Sequence, residues 1–178
     1  FDYLTGDGFE DAIVTNTKWF GNDFNTYDPL VQQRLKDWGN WMAETVGFDG
    51  FRIDFVRGFQ VPFLASWIKN LPLKNDAQRF IVGEYWTGQK YRLKDWISDN
   101  AELGADVSVF DFPLKYELNS MCNSDGNYDM RSLNNAGMIR DLYNSVSGLR
   151  VVTFLDNHDT GKEHNNWIGK DWQLGYAY

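Results

Sequence analysis

Apolar residues along this chain fall into two alternating rhythms. From Pro29 the stretch DPLVQQRLKDWGNWMAETV spaces Val31, Leu35, Trp38, Met42 and Val46 three or four residues apart, which marks one face of an amphipathic helix. Asp28 and Pro29 supply a cap and a first-turn residue for it. The next apolar run, GFRIDFV, is too short and too rich in aromatic and β-branched residues to continue as helix, so it reads as a strand. The alternation then repeats, with a helix predicted over 61–71, a strand over 79–86, a helix over 91–100 and a strand over 106–112. Helical stretches near 114–122 and 137–146, a strand over 149–157 and a helix starting near 170 complete the pattern. Residues 1–28, with their Gly, Asp, Asn and Thr, read as irregular loop.

Four short apolar strands separated by helices predict an α/β fold with a parallel sheet, because parallel neighbours require long crossovers. In such folds the strand interiors are packed, and ligands collect beyond the carboxyl ends. Acidic residues stand at those ends: Asp54, Glu84, Asp111 and Asp159. Arg52 and Asp54 interrupt an apolar run because they belong to the mouth of the sheet, with Arg52 expected as a buried partner of Asp54. Asp111, inside FDF, is read as a helix cap or a solvated loop residue rather than a catalyst.

Composition narrows the chemistry. The formal net charge of −8 argues against a nucleic-acid backbone, which needs a basic face. No apolar run approaches the roughly twenty residues that span a bilayer. No nucleic-acid or membrane partner is expected. The single cysteine, Cys122, cannot form an internal disulfide or a cysteine-rich zinc site. Aromatic residues make up 17% of the chain, more than a plain core needs, and their faces are suited to stacking on sugars.

Paired carboxylates in an aromatic mouth suit glycosidic cleavage, in which one acid protonates the leaving oxygen and another stabilises or attacks the sugar carbon. Neighbouring strand ends lie about 4.8 Å apart, near the roughly 5–5.5 Å separation of a retaining pair. Arg52, two residues before Asp54 and so on the same face of the strand, would keep Asp54 ionised and oriented. Glu84, between Gly83 and the pair Tyr85 and Trp86, has a setting that can desolvate it into a proton donor. Trp86 is also a candidate sugar contact. His158 and Asp159 in FLDNHDT can bind ring hydroxyls, although an adjacent His and Asp also occur as metal ligands in phosphohydrolases.

The motifs GFDGFRIDFVRG, FIVGEYW and FLDNHDT, in that order and spacing, resemble three conserved regions of the α-amylase family of glycoside hydrolases. The likeness runs from about residue 21 to the end, and its wording is similar to plant-type and maltooligosaccharide-forming bacterial members. That resemblance implies a partial (β/α)₈ barrel over residues 29–178, roughly its fourth to seventh strands with their helices. Residues 1–28 would be the tail of a loop-rich insertion after the third strand. It implies Asp54 as nucleophile with Arg52 orienting it, Glu84 as general acid and base, and Asp159 as the third carboxylate with His158 beside it. Arg57 and Gly58 stand where many members have Lys and His, so a substrate contact by Arg57 is expected while one imidazole contact is lost. The resemblance also implies a structural calcium, with Asp23 and the Gly58 carbonyl as candidate ligands and Asp11 as a weaker third.

The expected activity is retaining, endo-acting hydrolysis of α-1,4-glucans such as starch; the residues leave the compartment open, and the family resemblance implies a secreted enzyme that is a monomer at full length. A transglycosylase or an exo-acting maltooligosaccharide-forming enzyme would carry the same motifs, because subsite loops set acceptor and product length. An inactive glycan-binding relative would have no need of the intact acid and nucleophile. A metal-dependent phosphohydrolase would want clustered histidines, and the chain has only His158 and His164. Both ends read as cut, and an open half barrel with raw edges is expected to aggregate or stay molten by itself.

Overall fold

The structure is a computed structural model that describes residues 24–58, 60–160 and 167–177. The expectations for Asp11, Asp23 and most of the 1–28 loop lie outside them. The chain divides into two compact units, one taking in the chain up to Trp86 with Asp95–Ser108, the other Thr87–Lys94 with Val109 onward.

In the first unit, α1 (Pro29–Trp41) begins as its sequence predicts. The Asp28 carboxylate accepts from the N–H groups of Leu30 at 2.7 Å and Val31 at 3.4 Å, satisfying donors that a helix start leaves open. The helix widens into a π turn over Met42–Val46 and stops at Gly47, whose φ of 88° is a left-handed conformation that glycine adopts without penalty. Strand β1 (Gly50–Ile53), helix α2 (Val61–Asn70) and strand β2 (Phe80–Gly83) follow. The strands pair in parallel, from Gly50 opposite Phe80 to Ile53 opposite Gly83, with α2 as the crossover such pairing requires. Helix α2 buries Phe63, Leu64, Ala65, Trp67 and Ile68. Trp67 donates its indole N–H to the Leu35 carbonyl at 2.9 Å and lies so close to Gly39 that a Cβ there would meet its ring at 2.8 Å. The apolar stripe of α1 is less buried than its periodicity predicts, with Trp38 53% exposed. The buried residue of α1 is Gly39.

The division between the units falls inside α3 (Lys90–Glu102). Its Trp96 is buried on Gly83, leaving no room for a side chain at the end of β2.

The second unit holds most of β3 (Ser108–Phe110), together with α4 (Phe112–Cys122), β4 (Val151–Val152) and α5 (Trp172–Ala177). Val109 pairs with Val151 and Phe110 with Val152, again in parallel. The core of this unit is Leu118, Met121, Cys122, Leu133, Ala136 and Ile168. Asp111 caps α4, accepting from Leu114 N–H at 3.0 Å; of the two readings of FDF the structure takes the cap, and the residue is buried rather than solvated.

Two predicted elements differ. Residues 137–146 are not helical: Met138 N–H donates to Asp111 at 2.9 Å, Tyr143 and Asn144 N–H to Asp141 at 3.0 and 2.7 Å, and Val146 N–H to the Met138 carbonyl at 3.0 Å. Aspartate side chains outcompete the i−4 carbonyls, the usual reason such residues weaken a helix interior. The strand expected over 149–157 shrinks to two residues. A 3₁₀ turn, Gly148–Arg150, is capped by Ser147 before it, and after it the Asn157 N–H turns to Thr160 Oγ1 at 2.8 Å. Among the described residues no helix is long and apolar enough to cross a membrane.

Candidate active site

At the carboxyl end of the β1 and β2 pair, the register places Asp54 and Glu84 one step past Ile53 and Gly83. The ladder continues there: Glu84 N–H donates to the Ile53 carbonyl at 2.9 Å and Val56 N–H to the Glu84 carbonyl at 3.2 Å. Adjacent parallel strands at the same level present side chains to the same face. Arg52, two residues before Asp54, joins both acids: Nη1 lies 2.8 Å from Asp54 and Nη2 lies 2.8 Å from Glu84. One planar fork therefore holds two carboxylates.

The two acids differ in setting. The Asp54 side chain is 71% exposed and that of Glu84 only 6%. Burial pushes the Glu84 carboxyl above the ordinary glutamate range, against the opposing pull of the Arg52 guanidinium. Oε1 is close to Arg52 without the alignment of a hydrogen bond, and Oε2 receives only a long 3.5 Å contact from the Phe55 N–H. Phe55 itself has a φ of 45°, so the chain turns sharply through a conformation costly for a non-glycine immediately after Asp54. Arg52 departs from its sequence expectation. It was expected buried, yet its side chain is 35% exposed, because it works from the rim of a strand end rather than from the packed interior.

Arg57 and Gly58 lie in a 3₁₀ turn, Val56–Gly58, that follows. The Arg57 side chain is buried, with its guanidinium 5.8 Å from the Tyr85 ring centroid, a cation–π distance. Trp86 is half-buried three residues beyond β2. Of the calcium candidates only Gly58 is described, and it offers one carbonyl where calcium takes about six to eight oxygens. Among the described residues no three His, Cys, Asp or Glu side chains cluster for a metal. The described residues do not by themselves make a coordination shell.

In the second unit, His158 and Asp159 lie on the loop after β4, with His158 Nε2 2.9 Å from Asp159 and both side chains substantially exposed. The loop is shaped by its own polar residues. Asn157 accepts from the N–H groups of Asp159 at 2.9 Å and Thr160 at 3.0 Å, an Asx turn. Behind it, Thr160 is fully buried and its hydroxyl donates to Asp156 at 3.0 Å. Asp156 also accepts from Ile168 N–H at 2.9 Å and faces the Lys115 ammonium at 3.5 Å. Lys115 went unnoticed in the sequence, but a signal was present: with Phe112, Leu118 and Cys122 it falls on the buried stripe of α4, where a lysine needs a partner. A cavity of about 660 Å³ in the same unit is lined by residues including Leu114, Leu133 and Phe154, and by neither His158 nor Asp159.

Among curated proteins, the chain is 36% identical over 135 residues to the "Alpha-amylase" of Bacillus licheniformis, covering 75% of this chain and 25% of that protein. It is 35% identical over 141 residues to the "Glucan 1,4-alpha-maltohexaosidase" of Bacillus sp. (strain 707), covering 79% and 26%. The chain belongs to the α-amylase family. It spans about a quarter of the length of these α-amylase relatives. An Anoxybacillus α-amylase crystal structure superposes with a TM-score of 0.65 over 86% of this chain and 31% of that one, at 22% identity. The α/β fold, with parallel strands and crossover helices, is thus part of the α-amylase (β/α)₈ barrel. No protein-family model matches the chain.

Proposed function

We propose that the protein carrying this chain is a retaining glycoside hydrolase that cleaves α-1,4-glucosidic bonds in starch-like glucans. The observation that carries this reading is the shared guanidinium: Arg52 holds an exposed Asp54 and a buried Glu84 on neighbouring strand ends. In the first step Asp54 attacks the anomeric carbon and Glu84 gives its proton to the leaving oxygen. In the second, Glu84 takes a proton from water, which displaces Asp54 from the sugar. The raised affinity of Glu84 for its proton supports the acid role, since a donor must still hold a proton near working pH. Asp159 and His158 grip ring hydroxyls of the sugar being distorted, and Arg57 and Trp86 contribute further substrate contacts.

An exo-acting, maltooligosaccharide-forming enzyme is the second reading, favoured by the likeness to a maltohexaosidase. Secretion, a monomeric state, the barrel boundaries at residues 29–178, and a structural calcium at Asp23, Gly58 and Asp11 belong to the proposal on the family resemblance. A chelator that leaves the melting temperature of the full-length protein unchanged would remove the calcium.

The test uses the full-length protein with Glu84→Gln and Asp54→Asn, following sugar release from starch and the anomer first formed. Each substitution is expected to cost roughly 10²–10⁴ in rate. A loss below about tenfold removes that residue from the mechanism, and an inverted anomer removes the covalent step. Product lengths separate the endo and exo readings.

A further inference from the structure

Helix α4 buries an ammonium group where an apolar residue would pack. Lys115 is completely inaccessible, between Phe112 and Leu118 on the buried face of that helix. Desolvation depresses its affinity for a proton, opposed by the nearby Asp156 carboxylate. Asp156 is the hub of a short relay. It lies 3.5 Å from Lys115, accepts the Thr160 hydroxyl proton at 3.0 Å and accepts Ile168 N–H at 2.9 Å. The Thr160 oxygen accepts Asn157 N–H at 2.8 Å. The Asn157 side chain accepts the N–H groups of Asp159 and Thr160. A continuous set of contacts thus runs from the helix interior to the backbone of Asp159, within one unit.

We infer that Lys115 is a positioning residue for the reaction: through Asp156, Thr160 and Asn157 it fixes the loop on which His158 and Asp159 meet the sugar. The inference rests on the proposed glucan chemistry of Asp159. Phe154 and Leu155 anchor the start of the loop by apolar packing, whereas beyond them His158 and Asp159 are exposed and side-chain polar contacts shape residues 156–160. A cation buried on the scaffold gives the 36% exposed Asp156 carboxylate a partner fixed in place from the protein side. An apolar residue at position 115 would leave Asp156 with neutral donors alone. A carboxylate displaced by about an ångström from its productive place can lose up to roughly 100-fold in rate.

The experiment compares Lys115→Met, Asp156→Asn and the double variant with Lys170→Met in the full-length protein. Lys170 pairs with Asp125 at 2.8 Å in an exposed ion pair of the same unit, and its loss should change nothing. Hydrogen exchange at the amides of Asn157, Asp159 and Thr160 is measured with kcat and KM on starch. Lys115→Met and Asp156→Asn are each expected to speed exchange at those amides while the core of α4 stays protected. Each should lower kcat by roughly 10- to 100-fold with a smaller change in KM, and the double variant should be no worse than either. Unchanged exchange at the three amides, kcat within about twofold of the wild type, or fully additive losses would overturn the inference. Should Lys115→Met not fold, Asp156→Asn, at a 36% exposed side chain, decides by the same criteria. Asp159→Asn distinguishes the two failures: if it stays active, the glucan reading of Asp159 falls, and the exchange data still report whether Lys115 holds the loop.

Discussion

The two strand-end regions carry acids on different supports. At the ends of β1 and β2 the carboxylates grow directly from the ladder, and a single arginine fixes both. After β4, Asp159 stands seven residues past the last paired residue, on a loop that relies on Asn157, Thr160, Asp156 and Lys115 for its shape. Backbone pairing sets the first arrangement and side-chain polar chemistry the second. The first should therefore respond to the loss of one charge with altered protonation, and the second with altered geometry.

Among changes that leave both acids in place, removing the guanidinium should have the largest effect. Arg52→Met is expected to lower activity on starch roughly 10- to 100-fold by losing two charge-assisted contacts. Because Arg52 pulls the Glu84 carboxyl down, its loss lets that group rise further, and the basic limb of the pH–rate profile should move to higher pH. A limb that stays in place would separate Arg52 from Glu84 and break the contrast.

In the second unit the comparable substitution is Asp111→Ala, which removes the cap of α4 and the acceptor of Met138 N–H. A destabilisation of about 1–3 kcal/mol is expected in denaturant unfolding, with no movement of the pH limb assigned to Glu84. A shift of that limb would show that the two regions are not chemically separate.

The smallest effect is on stability. With its folded pKa raised, Glu84 makes the folded state bind a proton more tightly than the unfolded chain does. Its contribution is complete below the ordinary glutamate range and is lost as pH rises through the raised value. Glutamine does not titrate, so Glu84→Gln should melt above the wild type at neutral pH and lose that advantage on acidification. An advantage that is the same at both pH values would mean that burial of charge is not its origin.

Much of this architecture was legible in one dimension. Helix α1 starts at Pro29 because Asp28 and Pro29 suit a helix start wherever they occur together, and β1 and β2 were visible as short apolar runs ending in acids. At Asp111 local context left a cap and a solvated loop residue both open, and the packing around α4 selected the buried cap. The stretch 137–146 misled because a helical spacing of apolar residues does not reveal that Asp111, twenty-seven residues before Met138, claims one of its amides.

The sequence by itself determined the alternation of strand and helix and the positions of the acids along the chain, since periodicity, caps and turn chemistry act over a few residues. Local context marked Glu84 as the acid open to desolvation; tertiary structure decided how deeply it is buried, that Arg52 serves two carboxylates from the rim, and that Lys115 lies buried beside Asp156. Burial and charge pairing depend on groups that are distant along the chain and near in space, and no local pattern encodes which of them will meet.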